Sequence, residues 1–160
     1  MPLRVYLDTS VLGADLDTES AERVDVTRRF FSWLAQGKHA ACVSAVTRRE
    51  VDDAPERVKG RIREILAWLN LEILGETDDS IALARIYIER GALGPNAFDD
   101  ARHLAIAAVH GVDIVVSWNF RHMVNYFKRQ RVHAINLELG WPLVGIVAPT
   151  ELLEEGQDDG

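Results

Sequence analysis

The sequence predicts an α/β fold, a three-layer α/β/α sandwich with a mainly parallel central sheet, and three observations predict it. Short apolar runs of strand length alternate along the 160 residues with amphipathic stretches of 12–16 residues, the pattern of βαβ units. Glycines follow several of those stretches, as at Gly37 and Gly111, where helices commonly end. With 48% hydrophobic and 27% charged residues, the chain can fill one core and lacks the charge bias of a disordered protein. No repeat or linker interrupts the pattern. Residues 1–153 are therefore expected to form one domain, and the acidic residues 154–160 a disordered tail.

Residues 3–7 (LRVYL) read as a strand ending at Asp8. Residues 21–36 set Val26, Phe30, Phe31 and Trp33/Leu34 at helical spacing before Gly37. AACVSAV (40–46) is a second strand, followed by one or two helices in TRREVDDA and PERVKGRIREILAWLN, with Pro55 suited to a helix start. LEIL (71–74) reads as a third strand and residues 78–93 as a helix with Gly91 near its end. Gly94-Pro95-Asn96 breaks the chain, and residues 98–111 form a more apolar helix. DIVVS (113–117) is apolar after its acid, as in a strand covered on both faces. VHAIN (132–136) and LVGIV (143–147) read as further strands, and Pro149-Thr150 opens a last helical turn.

Several function classes drop out. No apolar run approaches the roughly 20 residues that span a bilayer, and the first residues lack the apolar segment of a signal peptide, so no membrane association and a cytoplasmic location are expected. Cys42 is the single cysteine, which excludes an internal disulfide or a Cys-based cluster and reads as a small buried apolar residue. There is no GxxxxGK[ST], no GxGxxG after a strand, no GxSxG and no HExxH. The net charge of −7 argues against a nucleic-acid coat protein, but the last ten residues hold five of the 25 acids and none of the 18 bases. Residues 1–150 are nearly neutral.

What remains is carboxylates at strand ends, where ligands collect in an open parallel sheet. Asp8 follows the first strand, Glu50 lies on the first helical turns after the second, and Asn119 follows the strand at 113–117. Asp100 heads an apolar stripe of Leu104, Ala107 and Ala108, so it faces inward, whereas Asp99 faces water with Arg102, His103 and His110 on its side. His103 and His110 read as a solvated or packed face. Grouping Asp8, Glu50 and Asp100 costs desolvation and like-charge repulsion, which a divalent cation relieves. All-oxygen ligands select Mg²⁺ or Mn²⁺, and such a site can activate a water for phosphodiester hydrolysis. Each residue has a structural alternative: Asp8 as a helix cap beside Ser10, Glu50 paired with Arg48 or Arg49, Asn119 in a turn, and Asp99 in the first turn after an Asn96 cap.

Four segments carry a resemblance: LDTSVLGA, VSAVTRREV, FDDARHLAIAAVHGVDIVVSWNFRHMVN (98–125) and IVAPTELLE. Together they resemble the PIN-domain family, and within it the VapC-like toxins of toxin–antitoxin pairs. The resemblance puts the family's acidic positions on Asp8, Glu50 and Asp100 and its fourth on Asn119, where many members carry Asp. Asparagine removes one charge, which bears on a second metal ion. The resemblance implies a Mg²⁺- or Mn²⁺-dependent endoribonuclease cutting single-stranded RNA, a small cognate antitoxin as partner, and a homodimer.

An acidic site repels a polyanion, so bases must hold the substrate at its rim. Arg48 and Arg49, Arg121 and Ser10 are the expected substrate-binding residues, with Arg28/Arg29 and the Lys128–Arg131 cluster either extending the track or solvating helix faces. Trp118 stands equally as a base-stacking or a core residue. Two other classes are weighed against this reading. A haloacid-dehalogenase-type phosphatase also places Asp after a strand, but needs a second Asp where Ser10 stands. A PIN-like module without activity would act only by binding a partner protein.

Overall fold

The computed structural model describes residues 2–158, with side chains through Leu153. Five strands form: β1 (Arg4–Leu7), β2 (Ala40–Ser44), β3 (Glu72–Leu74), β4 (Ile114–Val116) and β5 (Gly145–Val147). They build one sheet in the order β3-β2-β1-β4-β5, and every pairing is parallel. The helices are α1 (Thr9–Leu12), α2 (Ala21–Ala35), α3 (Ala45–Asp52), α4 (Glu56–Leu69), α5 (Asp78–Glu89), α6 (Phe98–Val109), α7 (Tyr126–Leu139) and α8 (Pro149–Asp158). The disorder expected of residues 154–160 lies outside the residues whose side chains are described. No helix of the described residues is long and apolar enough to cross a membrane.

The alternation of β1 separates two cores, because successive strand residues point to opposite faces. Tyr6 joins Cys42, Leu83, Tyr87, Leu104, Ile106 and Val115 on the side of α5 and α6. Val5 and Leu7 join Val43, Phe30, Phe31, Ile62, Ile65 and Val116 on the side of α2 and α4. Cys42 is buried, and burial pushes its thiol up to about 12, in keeping with an inert apolar filler.

Local chemistry sets the boundaries. Ser44 ends β2 and caps α3 with a reciprocal pair: its side chain accepts from Val46 N–H at 3.2 Å and its own N–H donates to Thr47 Oγ1 at 3.1 Å. α4 ends at Asn70, which takes the left-handed conformation (φ 50°), one that short polar side chains tolerate.

Two expectations fail here. Residues 132–136 are the middle of α7, not a strand. Asn125 caps α7 by accepting from Lys128 N–H at 3.3 Å, and Gly140 closes it with φ 80°. Val132, Ile135 and Asn136 then share its buried side at helical spacing; the caps lie outside a five-residue window, which reads as a strand in isolation. Likewise Asn96 does not cap α6. The cap position is Ala97, without a side-chain bond, and Asp99 instead pairs with Arg102 at 3.0 Å on the exposed side.

Asn136 ties α7 to the rest of that layer: buried, it accepts from the Tyr87 hydroxyl and donates to Pro142 O at 3.3 Å. Tyr87→Phe leaves its oxygen unpaired in the interior and should cost about 1–3 kcal/mol, read in urea denaturation as a lower midpoint with unchanged slope.

Candidate active site

Asp8 is the first residue past β1, its backbone fixed by an N–H···O bond to Val116 at 3.0 Å. Its Oδ2 accepts from Ser10 N–H at 3.4 Å, from the Ser10 hydroxyl at 2.6 Å and from the Ser117 hydroxyl at 2.8 Å. The cap reading of Asp8 is thus realised, through one oxygen. Ser10, expected to touch substrate, is committed to Asp8 and also accepts from Trp118 N–H at 3.0 Å, so it organises the carboxylate rather than the rim.

Glu50, on α3, points to the same edge. Its Oε1 accepts from the Thr9 hydroxyl at 2.9 Å and from Nε2 of His103, a fully buried residue of α6. The same nitrogen lies 3.7 Å from Asp8 Oδ1. The other ring nitrogen meets the Tyr6 hydroxyl, and Tyr6 donates onward to Ser44 Oγ at 2.7 Å. With Asp8, Glu50 and Asp100 around it, His103 is raised above an ordinary histidine, which favours the imidazolium.

Asp100 opens α6 and completes the set. Its Oδ2 accepts from Asn119 Nδ2 at 3.2 Å, while Asn119 Oδ1 accepts from His122 N–H at 2.9 Å. Asn119 therefore serves as both turn residue and site residue. Three carboxylates from the ends of β1, α3 and α6 face one imidazolium.

The electrostatics follow. Burial acts to raise Glu50, but the His103 hydrogen bond and charge, with Thr9 and Arg102, hold it below the usual carboxylate range. Burial opposes the charge on His103, yet the Glu50 bond and the charges of Asp8, Glu50 and Asp100 raise it above an ordinary histidine. Asp100 is pushed up to about 6 by burial first and then by Asp8, with His103 and Asn119 opposing and Glu50 adding to the rise. One imidazolium does not balance three acids, and Asp100 carries the excess.

Among the described residues no group of three or more His, Cys, Asp or Glu side chains is arranged to hold a metal ion as it stands. The chemistry of the donor set nevertheless fits a hard divalent cation: oxygen donors, excess negative charge and a carboxyl whose proton affinity is raised by its neighbours. Asp8, Glu50 and Asp100 are the residues that would hold it, while Asn119 turns its amide nitrogen, not its oxygen, to Asp100.

The expected rim residues scatter. Arg48 lies with Val51, Asp52, Arg63, Leu66 and Ile73 in a groove on the side of α3 away from Glu50. Arg49 reaches Glu76 at 4.0 Å, a carboxylate already held by both Nε and Nη2 of Arg102 at 2.6 Å. Arg121 stays exposed two residues past Asn119. Arg29 pairs with Asp25 at 3.3 Å, and Arg129 donates to Ile146 O at 3.1 Å. Trp118 is a wall residue: 9% exposed, its Nε1–H donates to Thr27 Oγ1 at 2.9 Å and the Arg23 guanidinium covers its ring at 4.9 Å.

His103 is the functional side chain that sequence reasoning missed. The signal was its position three residues after the inward Asp100, which makes the two neighbours on one helix face.

No protein-family model matches the chain, and no curated protein sequence does. Among solved structures, VapBC2 from Rickettsia felis, bound to a DNA fragment from its promoter, superposes with a TM-score of 0.56 at 12% identity, covering 91% of this chain and 98% of that one. DNA-bound VapBC from Salmonella typhimurium gives 0.57 at 17% identity, covering 92% and 98%. At these identities the likeness is one of fold: the chain shares its fold with a chain of each of these VapBC complexes.

The raised Asp100 sets a sign for the pH dependence of metal-free stability. With a folded value of about 6 against an ordinary 3.8, its contribution is complete below about pH 4 and is lost as pH rises through about 6. Asp100→Asn should therefore add about 1–2 kcal/mol near pH 7.5 in EDTA, after allowance for partial solvation, and close to nothing near pH 4. Urea denaturation at the two pH values measures it.

Proposed function

We propose that the chain is a divalent-metal-dependent endoribonuclease that hydrolyses phosphodiester bonds of single-stranded RNA, and that it is the toxin of a pair whose small antitoxin covers the site. The observation that carries this reading is the convergence of Asp8, Glu50 and Asp100, from three elements far apart in sequence, at the carboxyl edge of one parallel sheet. The fold it shares with chains of VapBC complexes supports the same reading.

A Mg²⁺ or Mn²⁺ ion, when bound, supplies Lewis acidity for a scissile phosphate and an attacking water. The chain's own groups do the rest. Ser10 and Ser117 fix Oδ2 of Asp8, which leaves Oδ1 directed toward the centre of the cluster. Asn119 is pinned through His122 N–H, so its amide holds one oxygen of Asp100. His103 keeps Glu50 ionised. Thr9 shares that carboxylate oxygen and sets its orientation. The partner-binding module without activity is favoured by one observation, the engagement of Glu50 by His103 in place of a third open ligand.

Two measurements separate these readings. Labelled single-stranded RNA should be cut in Mg²⁺ and left intact in EDTA, and Asp8→Asn should lower the rate more than about 100-fold, beyond the range for losing an outer-shell partner; cutting that survives either change excludes the mechanism. His103 and a bound cation supply the same positive charge to Glu50, so they compete. Asp100, pushed up to about 6, must also lose its proton to take up a cation, so calorimetric Mn²⁺ affinity should rise from about pH 5 to about pH 7.5, whereas an inert module binds no Mn²⁺ at either pH.

A further inference from the structure

Beside the acid cluster the surface opens into a cleft of about 270 Å³ walled by Glu22, Arg23, Trp118, Phe120 and Thr150. Its position is fixed by the chain itself. Trp118 lies between Ser117, which bonds Asp8, and Asn119, which bonds Asp100, so one wall residue of the cleft is flanked in sequence by the residues that bond both carboxylates.

The walls are planar. The Arg23 guanidinium lies over the Trp118 ring at 4.9 Å, and Phe120, 47% exposed, stands at 60° to Trp118 with the centroids 6.1 Å apart. Trp118 is not free to stack on anything else: one ring face carries Arg23 and its N–H is bound by Thr27. The surfaces on offer are the outer face of the guanidinium and the Phe120 ring. Flat π-faces beside a cation, with the Glu22 carboxylate and Thr150 hydroxyl at the rim, suit a splayed, unstacked nucleobase. An aliphatic peptide segment would gain little from the guanidinium plane.

From this geometry we infer that the Arg23–Trp118–Phe120 cleft is a nucleobase subsite, seating one base of a single-stranded RNA whose backbone passes the acid cluster. The inference rests on the proposed ribonuclease reading and adds to it a base contact next to the site. It also gives a reason for selecting single strands: a base held in a duplex has no face to offer to this cleft.

The test uses full-length protein carrying Asp8→Asn, in EDTA, so that binding is read without cutting. Fluorescence anisotropy compares a labelled single-stranded oligoribonucleotide with the same oligomer carrying abasic positions. The intact oligomer should bind about tenfold or more tighter, the range that stacking of one base supplies. Phe120→Ala, at an exposed site, should erase most of that ratio while its melting temperature stays near that of the parent. Arg23→Lys keeps the charge and loses the plane, so it should preserve the salt dependence and reduce the ratio. Equal affinity for intact and abasic RNA, or a ratio unchanged in both variants, overturns the subsite and leaves the cleft to a protein segment. In a parallel assay on the chain with Asp8 intact and Mg²⁺ present, RNA cutting that is indifferent to the cleft variants and abasic positions overturns the subsite alone, and absence of both cutting there and binding in the first assay overturns the ribonuclease reading with it.

Discussion

The interaction on which the site depends is the buried imidazolium of His103 among carboxylates. Without a cation at that point, Asp8, Glu50 and Asp100 face one another at partly desolvated positions, an arrangement whose repulsion protons or ions must relieve. His103 relieves part of it and does so directionally, holding Glu50 with one nitrogen and the Tyr6–Ser44 hydroxyl pair with the other. That second contact reaches the β2–α3 junction, because Ser44 is also the cap of α3, the helix that carries Glu50. The position of the acid and the position of its counter-charge are therefore set by the same few residues.

Sheet order explains why the parts meet. β1 is central, β2 and β3 lie to one side and β4 and β5 to the other, so the chain reverses its direction of winding beside β1. Elements leaving the carboxyl ends of neighbouring strands diverge there and leave a crevice. Asp8 and Ser117 come from the ends of the two strands flanking that crevice, and α6, which runs back toward the start of β4, brings Asp100 in from its first turn. The same geometry places Trp118 at the crevice margin, which is why its indole is half scaffold and half wall.

Most of this was legible in the sequence, for physical reasons that also mark where legibility ended. Asp8, Glu50, Asp100 and Asn119 could be found because strand-end position and helical phase are local properties. Asp100 was separable from Asp99 because the apolar stripe below it fixed its orientation. His103 was harder, since a histidine at i+3 from an inward acid sits on the flank of the stripe and counting from Asp99 assigned it to the wet side. The α7 segment misread as a strand shows the same limit: Val132 to Asn136 is too short a window to distinguish the two periods, and the deciding caps at Asn125 and Gly140 lie outside it. The Arg29–Asp25 pair is a local i,i+4 contact, but the contacts of Arg49 with Glu76 and of Arg129 with Ile146 O are long-range and leave no trace in local sequence.

Those pairings bear on how a polyanion could be held at all. Arg49 reaches Glu76 at 4.0 Å, Arg29 pairs with Asp25 at 3.3 Å and Arg129 donates to a backbone carbonyl, so groups that look like a basic track in the sequence are partly spent on the fold. Exposed ion pairs and scattered surface charges contribute little each, and salt screens them. A chain with net charge −7 and an acidic centre therefore gains little from diffuse attraction. Contacts that do not depend on charge, such as stacking, carry more weight under those conditions, and exposed aromatic surface is present at Phe120, next in sequence to Asn119, and at Tyr126 and Phe127 at the start of α7. Recognition of a single strand by its unpaired bases is the mode that this distribution of charge and ring surface favours.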